Sequence, residues 1–126
     1  MKTSPENKEQ LVFEPSKMEW EEIFDEKIGK FLYDKKLIDD YDTGMVINFS
    51  KYPAGYYKDF HRHACSHGIY VLSGTLKTDK GEYGPGSLVW HPEGVVARHG
   101  ATDREDCCAL FITNKPFEIS YPEDVE

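Results

Sequence analysis

Neutral imidazole is the commonest protein ligand for zinc, iron, nickel, copper and manganese. All five histidines of this 126-residue chain fall in two short segments. The first, GYYKDFHRHACSHGIYVLSG from Gly55 to Gly74, carries His61, His63 and His67; the second, GSLVWHPEGVVARH from Gly86 on, ends at His99. Side chains of a strand alternate between its two faces, so His61 and His63 share one face when FHRH is extended, and Arg62 points away. His67 rejoins that face if ACS forms a bend or bulge, and Ile69 and Val71 then continue it. Three or four imidazoles converging in this way form a chelate for a divalent cation.

The second segment supplies the closing ligand. SLVW alternates small and large residues, HPEG breaks the run with a Pro and a Gly, and Val95, Ala97 and His99 then share a face. A hairpin of this kind lays His99 beside the His61 pair. His91 is left out of the site, because a residue before Pro is held extended at the entrance to the turn. Cys65 sits inside the histidine bend and joins His63 and His67 as a soft ligand only if the turn there bulges unusually. Parity also turns Arg62 and Arg98 away from the site, toward solvent-side salt bridges.

The elements that must position these ligands read as strands. MVINFS alternates after an Asp42-Thr43-Gly44 turn, and Tyr52 to Gly55 form the next turn. TLKTDKGEYGPG holds two turns that pin a hairpin, and DCCALFITN is a final strand. The acid-rich WEEIFDEKIGKFLYDKK is ambiguous between a helix capped by Ser16 and short strands joined by charged turns; Gly29 argues for strands. Short strands separated by Gly/Pro turns define an all-β sandwich or barrel. By parity with His61, Tyr57 and Asp59 face inward and are the candidate acid–base groups, with Phe111 or Ile112 lining the pocket. The expected organisation is a tail or edge strand over residues 1–15, with LVF as the edge candidate, a single domain over 16–118, and an acidic tail over 119–126.

Composition narrows the partners. At this length one domain with a real core is expected. A net charge of −8 argues against nucleic acid, which needs a basic face, and against an anionic membrane surface. No apolar run reaches membrane-spanning length, and MKTSPENKEQ lacks the apolar core of a signal peptide, so a cytoplasmic location is expected. Three cysteines, two of them adjacent, read as reduced thiols packed in strands rather than a disulfide framework.

The spacing G-x5-H-x-H-x3-H-x6-G over Gly55, His61, His63, His67 and Gly74, followed by Gly86, Pro92, Gly94 and His99, resembles the two motifs of the cupin superfamily. His67 stands where the family usually has Glu, and His99 is slightly further from Gly94 than the motif prescribes. The substitution resembles small single-domain cupins that hold manganese or another divalent ion on four histidines. From Met18 to Pro116 the chain also resembles the acetylacetone-cleaving group of cupin dioxygenases. The resemblance favours strands in the ambiguous segment and implies a double-stranded β-helix, or jelly-roll barrel. It implies metal ligation by His61, His63, His67 and His99, with iron or manganese favoured over zinc or nickel, and a homodimer. It also implies cleavage of a C–C bond in a small dicarbonyl or other enolisable substrate with dioxygen. Two other classes fit the same site. One is a non-oxidative isomerase or lyase acting on a sugar or keto acid; the other is a non-catalytic sensor domain.

Overall fold

The computed structural model describes residues 9–116 and 118–122. Eleven strands follow a short 3-10 turn at Pro15–Lys17: β1 (Glu21–Asp25), β2 (Lys30–Asp39), β3 (Val46–Tyr52), β4 (Arg62–His63), β5 (His67–Ser73), β6 (Leu76–Thr78), β7 (Glu82–Tyr83), β8 (Leu88–His91), β9 (His99–Ala101), β10 (Cys107–Thr113) and β11 (Ile119–Ser120). All pairings are antiparallel. A six-stranded sheet runs β1-β2-β3-β10-β5-β8, a three-stranded sheet runs β7-β6-β9, and β11 pairs with β4. This is the expected all-β jelly roll, and the segment from Trp20 to Asp39 forms two strands joined by a turn rather than a helix.

The core is a compact aromatic and aliphatic cluster of Tyr52, Tyr56, Ile69, Val71, Leu76, Ala101, Cys107, Ala109 and Phe111. It supports the cavity from one side. On β5 the alternation is as expected: His67, Ile69 and Val71 are buried while Tyr70 and Leu72 are exposed. On β2 and β3 the usual polarity is reversed. Leu32, Asp34, Asn48, Ser50 and Tyr52 face an internal cavity, and the apolar Phe49 faces outward against Trp20 at 5.6 Å. The ammonium of Lys35 lies 4.3 Å over the Trp20 ring and bonds to the Pro15 carbonyl, so the segment before β1 covers this outer face. A sheet whose inner side lines a ligand cavity has reason to put polar groups inside.

Two glycines show why the motif spacing is tied to the fold. Gly74 has φ +72, and a Cβ there would lie 2.0 Å from the Asp106 carbonyl oxygen, so no side chain fits where β5 turns toward β6. Gly100, next to His99, lets β9 approach the segment after β3: a Cβ would come 2.0 Å from the Tyr56 carbonyl oxygen, the acceptor for the Ala101 amide. Leu11–Phe13 pair with no strand among the described residues, where the edge-strand reading of LVF therefore has no partner. Residues 1–8 lie outside the described residues.

The chain after Pro116 differs from the expected tail. Ile119 pairs with His63 and Ser120 with Arg62, so β11 is fastened to the strand that bears a candidate ligand. The signal for this pairing is register, which a two-residue strand does not display in its composition.

Candidate metal centre

His61 and His63 come from β4 and the bridge before it, where the His61 and Ala97 main chains exchange two hydrogen bonds of 2.9 Å. That bridge draws the β9 approach alongside β4 and brings His99 to His61, with ring centres 5.0 Å apart. His61, His63 and His99 each place one ring nitrogen within 4.8 Å of the others, and all three are buried. Nitrogens sharing one ion at metal–nitrogen distances of about 2.0–2.1 Å stand roughly 3–4 Å apart. Small side-chain rotations therefore close this trio into a chelate.

His67 stands beside this trio. Its ring centre is 4.2 Å from that of His63 and 6.3 Å from that of His99. Across the sheet it is paired directly with His91, whose ring lies 4.9 Å away. His91, left out of the metal site by its place before Pro92, is not one of the clustered trio but ends the row of rings beyond His67. Extended backbone before Pro92 is what allows His91 to end β8 and face its neighbour. All five histidines form one continuous chain of ring contacts.

Electrostatics prepare these rings to act as ligands. Burial pushes the pKa of His61 down to about 4, that of His63 to about 2 and that of His67 to about 3. It holds His99 well below its ordinary value and lowers His91 as well, with neighbouring histidines adding to the effect at His99. The rings are thus neutral at physiological pH and carry a free lone pair. The His61 Nδ1–H donates to the Asp59 carbonyl oxygen at 2.7 Å, which leaves Nε2 as the ligand atom. Both ring nitrogens of His67 and of His99 are buried without a hydrogen-bond partner among the described residues. Leaving such groups unsatisfied costs about 1–3 kcal/mol each. A divalent cation answers both observations, so the donor set fits a metal. Cys65 is fully buried, its thiol pKa raised by burial, and it is not part of the trio.

The trio forms part of the wall of a cavity of about 730 Å³. Ile23, Phe24, Leu32, Phe111 and Ile119 give it an apolar side. Its polar side is a hydrogen-bonded group that sequence reasoning did not find. Lys58 Nζ lies 3.0 Å from Asp25 Oδ2 and 3.0 Å from the Tyr121 hydroxyl, and the Tyr56 hydroxyl donates to Asp25 Oδ2 at 2.9 Å. Burial alone would raise the Asp25 pKa; the Lys58 and Tyr56 contacts outweigh it and hold the carboxyl below its usual range. Asp34, bonded to Ser50 at 2.7 Å, has its pKa raised by burial.

Tyr57 and Asp59, the acid–base candidates that strand parity placed inward, lie elsewhere. The Tyr57 ring is stacked by Arg98 at 3.7 Å and approached by Lys77 at 4.5 Å. The Asp59 carboxylate is 4.0 Å from Lys27 and caps the Phe60 amide. Neither lines the cavity. Arg98 spends its donors on the Lys58 and Tyr57 carbonyl oxygens instead of on an outward salt bridge. Phe111 lines the cavity as expected, and Ile112 does not.

A jelly roll with histidines from both motif halves at a cavity is the arrangement of a cupin. Residues 8–118 match the ChrR cupin-like domain, and the chain belongs to that family. No curated protein matches the sequence significantly. Among solved structures, it is similar to a protein from Acidithiobacillus ferrooxidans assigned as a sugar phosphate isomerase, with 25% identity over 90% of this chain and 81% of that one at a TM-score of 0.68. It is also similar to the polyketide cyclase RemF of Streptomyces resistomycificus, with 23% identity, 72% and 70% coverage and a TM-score of 0.63. The anti-sigma factor ChrR of Rhodobacter sphaeroides, solved with SigE, shares 18% identity over 77% of this chain and 50% of its own, at a TM-score of 0.62. The likenesses below 25% identity carry the fold alone. No helix of the described residues is long and apolar enough to cross a membrane.

Proposed function

We propose that this chain is a metal-dependent enzyme that takes a small enolisable carbonyl compound, such as a β-dicarbonyl, into its cavity and cleaves a C–C bond with dioxygen. The observation that carries this reading is the set of neutral, buried imidazoles opening onto a cavity of small-molecule size. His61, His63 and His99 would hold the ion, with His67 as a fourth ligand. Iron or manganese suits an oxidative reaction, while zinc or nickel fits the same donors. A bound ion of this kind supplies Lewis-acid stabilisation of an enolate oxygen and, if redox-active, access to dioxygen chemistry.

The residues do the rest. Four uncharged imidazoles would neutralise none of a bound ion's charge, so the site would favour an anionic enolate over a neutral ketone. The Asp59 carbonyl fixes the His61 ring orientation. Ile23, Leu32 and Phe111 exclude water and take up the apolar arms of the substrate. With dioxygen as co-substrate the balance closes: a β-diketone plus dioxygen gives a carboxylic acid and a 2-oxocarbonyl product, each carrying one new oxygen atom. The test is oxygen uptake by iron- or manganese-loaded protein across a panel of β-dicarbonyls, lost on chelation. No uptake from any member overturns the oxidative reading.

A second reading, a non-oxidative isomerase or lyase, is favoured by the Lys58–Asp25–Tyr121 group, which sets an ammonium, a carboxylate and a phenol together on the cavity wall. Anaerobic turnover with a non-redox ion would select it. Ligand binding with no turnover in either assay would make the domain a sensor. Homodimer formation is supported by the exposed Tyr70, Leu72, Leu88 and Trp90 on β5 and the sheet-edge strand β8.

A further inference from the structure

We infer that Tyr121 is a substrate-contacting hydrogen-bond donor of this site, directing its phenol proton at an oxygen of the bound enolate. This rests on the enolisable-substrate reading above.

Proton counting singles out this phenol. An ammonium has donors and no acceptor, so in the 3.0 Å contact with Lys58 the Tyr121 oxygen accepts. Lys58 cannot turn away to solvent at low cost, because its other contact is the buried Asp25 carboxylate; the two side chains are 13% and 6% exposed. A phenol has a single proton, and here it points away from Lys58. The Tyr121 hydroxyl makes no hydrogen bond as donor among the described residues, and the side chain lines the cavity together with His61, His63 and His99. Its ring centre is 6.5 Å from that of His61. Tyr56 offers the contrast: its proton is committed to Asp25.

The backbone holds this donor in register with the candidate ligands. Ser120 pairs with Arg62 and Ile119 with His63, so Tyr121 follows directly from a strand fixed to β4. The Lys27 ammonium lies 4.6 Å from the Tyr121 ring centroid and that of Lys58 lies 5.4 Å from it, which restrains the ring plane. A donor fixed before the substrate arrives costs no reorganisation when negative charge develops on the enolate oxygen. Lys58 and Asp25 are positioning residues for it.

The experiment is calorimetric binding of acetylacetone, used as an enolate-forming probe, to zinc-loaded protein without dioxygen chemistry, with imidazole as a second probe that needs no oxyanion donor. Tyr121→Phe is expected to bind acetylacetone about tenfold or more weakly, the scale of a hydrogen bond to a charged group, with imidazole affinity and zinc content unchanged. Equal acetylacetone affinity in wild type and variant overturns the role of Tyr121 and leaves the substrate reading standing. No binding of acetylacetone to wild type overturns both. Should Tyr121→Phe fail to fold, carbon-13 labelling of tyrosine in the wild type decides: the phenol-carbon resonance of Tyr121 shifts on saturation with the probe, and an unmoved resonance overturns the inference.

Discussion

Lys58→Met is the perturbation that most directly probes the polar side of the cavity. It removes the cation from a pair that is almost wholly buried, while Asp25 keeps the Tyr56 hydroxyl at 2.9 Å and the Lys27 amide at 3.1 Å. Removing one partner of a buried ion pair costs about 3–5 kcal/mol. The two hydrogen bonds that remain on Asp25 bring the expected loss to roughly 2–3 kcal/mol. With a urea slope of about 1–3 kcal/mol per molar, the unfolding midpoint of metal-free protein falls by roughly 0.7–3 M at pH 7. The pH dependence carries a sign. In the wild type Asp25 has a lowered pKa, so its contribution is present above the unfolded value of 3.8 and lost as pH falls below it. In the variant burial is no longer outweighed and the pKa rises, so the buried charge is a liability at neutral pH that protonation relieves. The gap between the two proteins therefore narrows as pH falls from 7 toward 4. Asp25→Asn combined with Lys58→Met removes both charges and loses less than the sum of the single changes, with a coupling of about 1 kcal/mol or more. Additive losses, or a single variant as stable as wild type, would refute the pairing as the source of stability.

The histidines predict a second acid effect. Their folded-state pKa values, about 4 for His61 and about 3 for His67, lie below the ordinary 6.5, so the unfolded chain takes up protons first and metal-free protein loses stability as pH drops from 6.5 toward 4; equal urea midpoints at pH 7.5 and 5 would contradict this. Replacement of His61, His63 or His99 by Ala is expected to abolish metal retention, His67→Ala to weaken it by about tenfold or more, and His91→Ala to leave the stoichiometry unchanged. Elemental analysis and competitive chelation read these out, and full-affinity binding in His67→Ala would remove His67 from the ligand set.

Much of the site was legible because strand parity is a local property. His61 and His63 needed only an extended FHRH, and the glycines at 55, 74, 86 and 94 mark turns where the backbone adopts positive φ. Cross-strand register is not local. The pairing of His67 with His91 follows from how β5 meets β8, and nothing in VWHP announces it. Tyr57 and Asp59 were expected to face inward by counting from His61, but the chain between Gly55 and His61 is irregular apart from the bridge at Tyr57, so the count does not carry through it. Tyr121 is the extreme case: ISYPE offers no motif, and only its attachment to β4 brings it to the cavity. The reversed polarity of β3 was legible as alternation but not as direction, because a cavity inverts which face wants polar groups.

The His61–Ala97 bridge has a kinetic consequence. It joins residues far apart in sequence, so the trio exists only once both motif halves have docked, and such non-local pairings form late. An ion that requires all three rings stabilises the native state far more than the transition state that precedes it. Metal loading at the proposed site would then act mainly as a brake on unfolding, with little acceleration of folding. A loaded molecule would be retained by the slowness of its opening, and its lifetime, more than its rate of assembly, would follow metal supply.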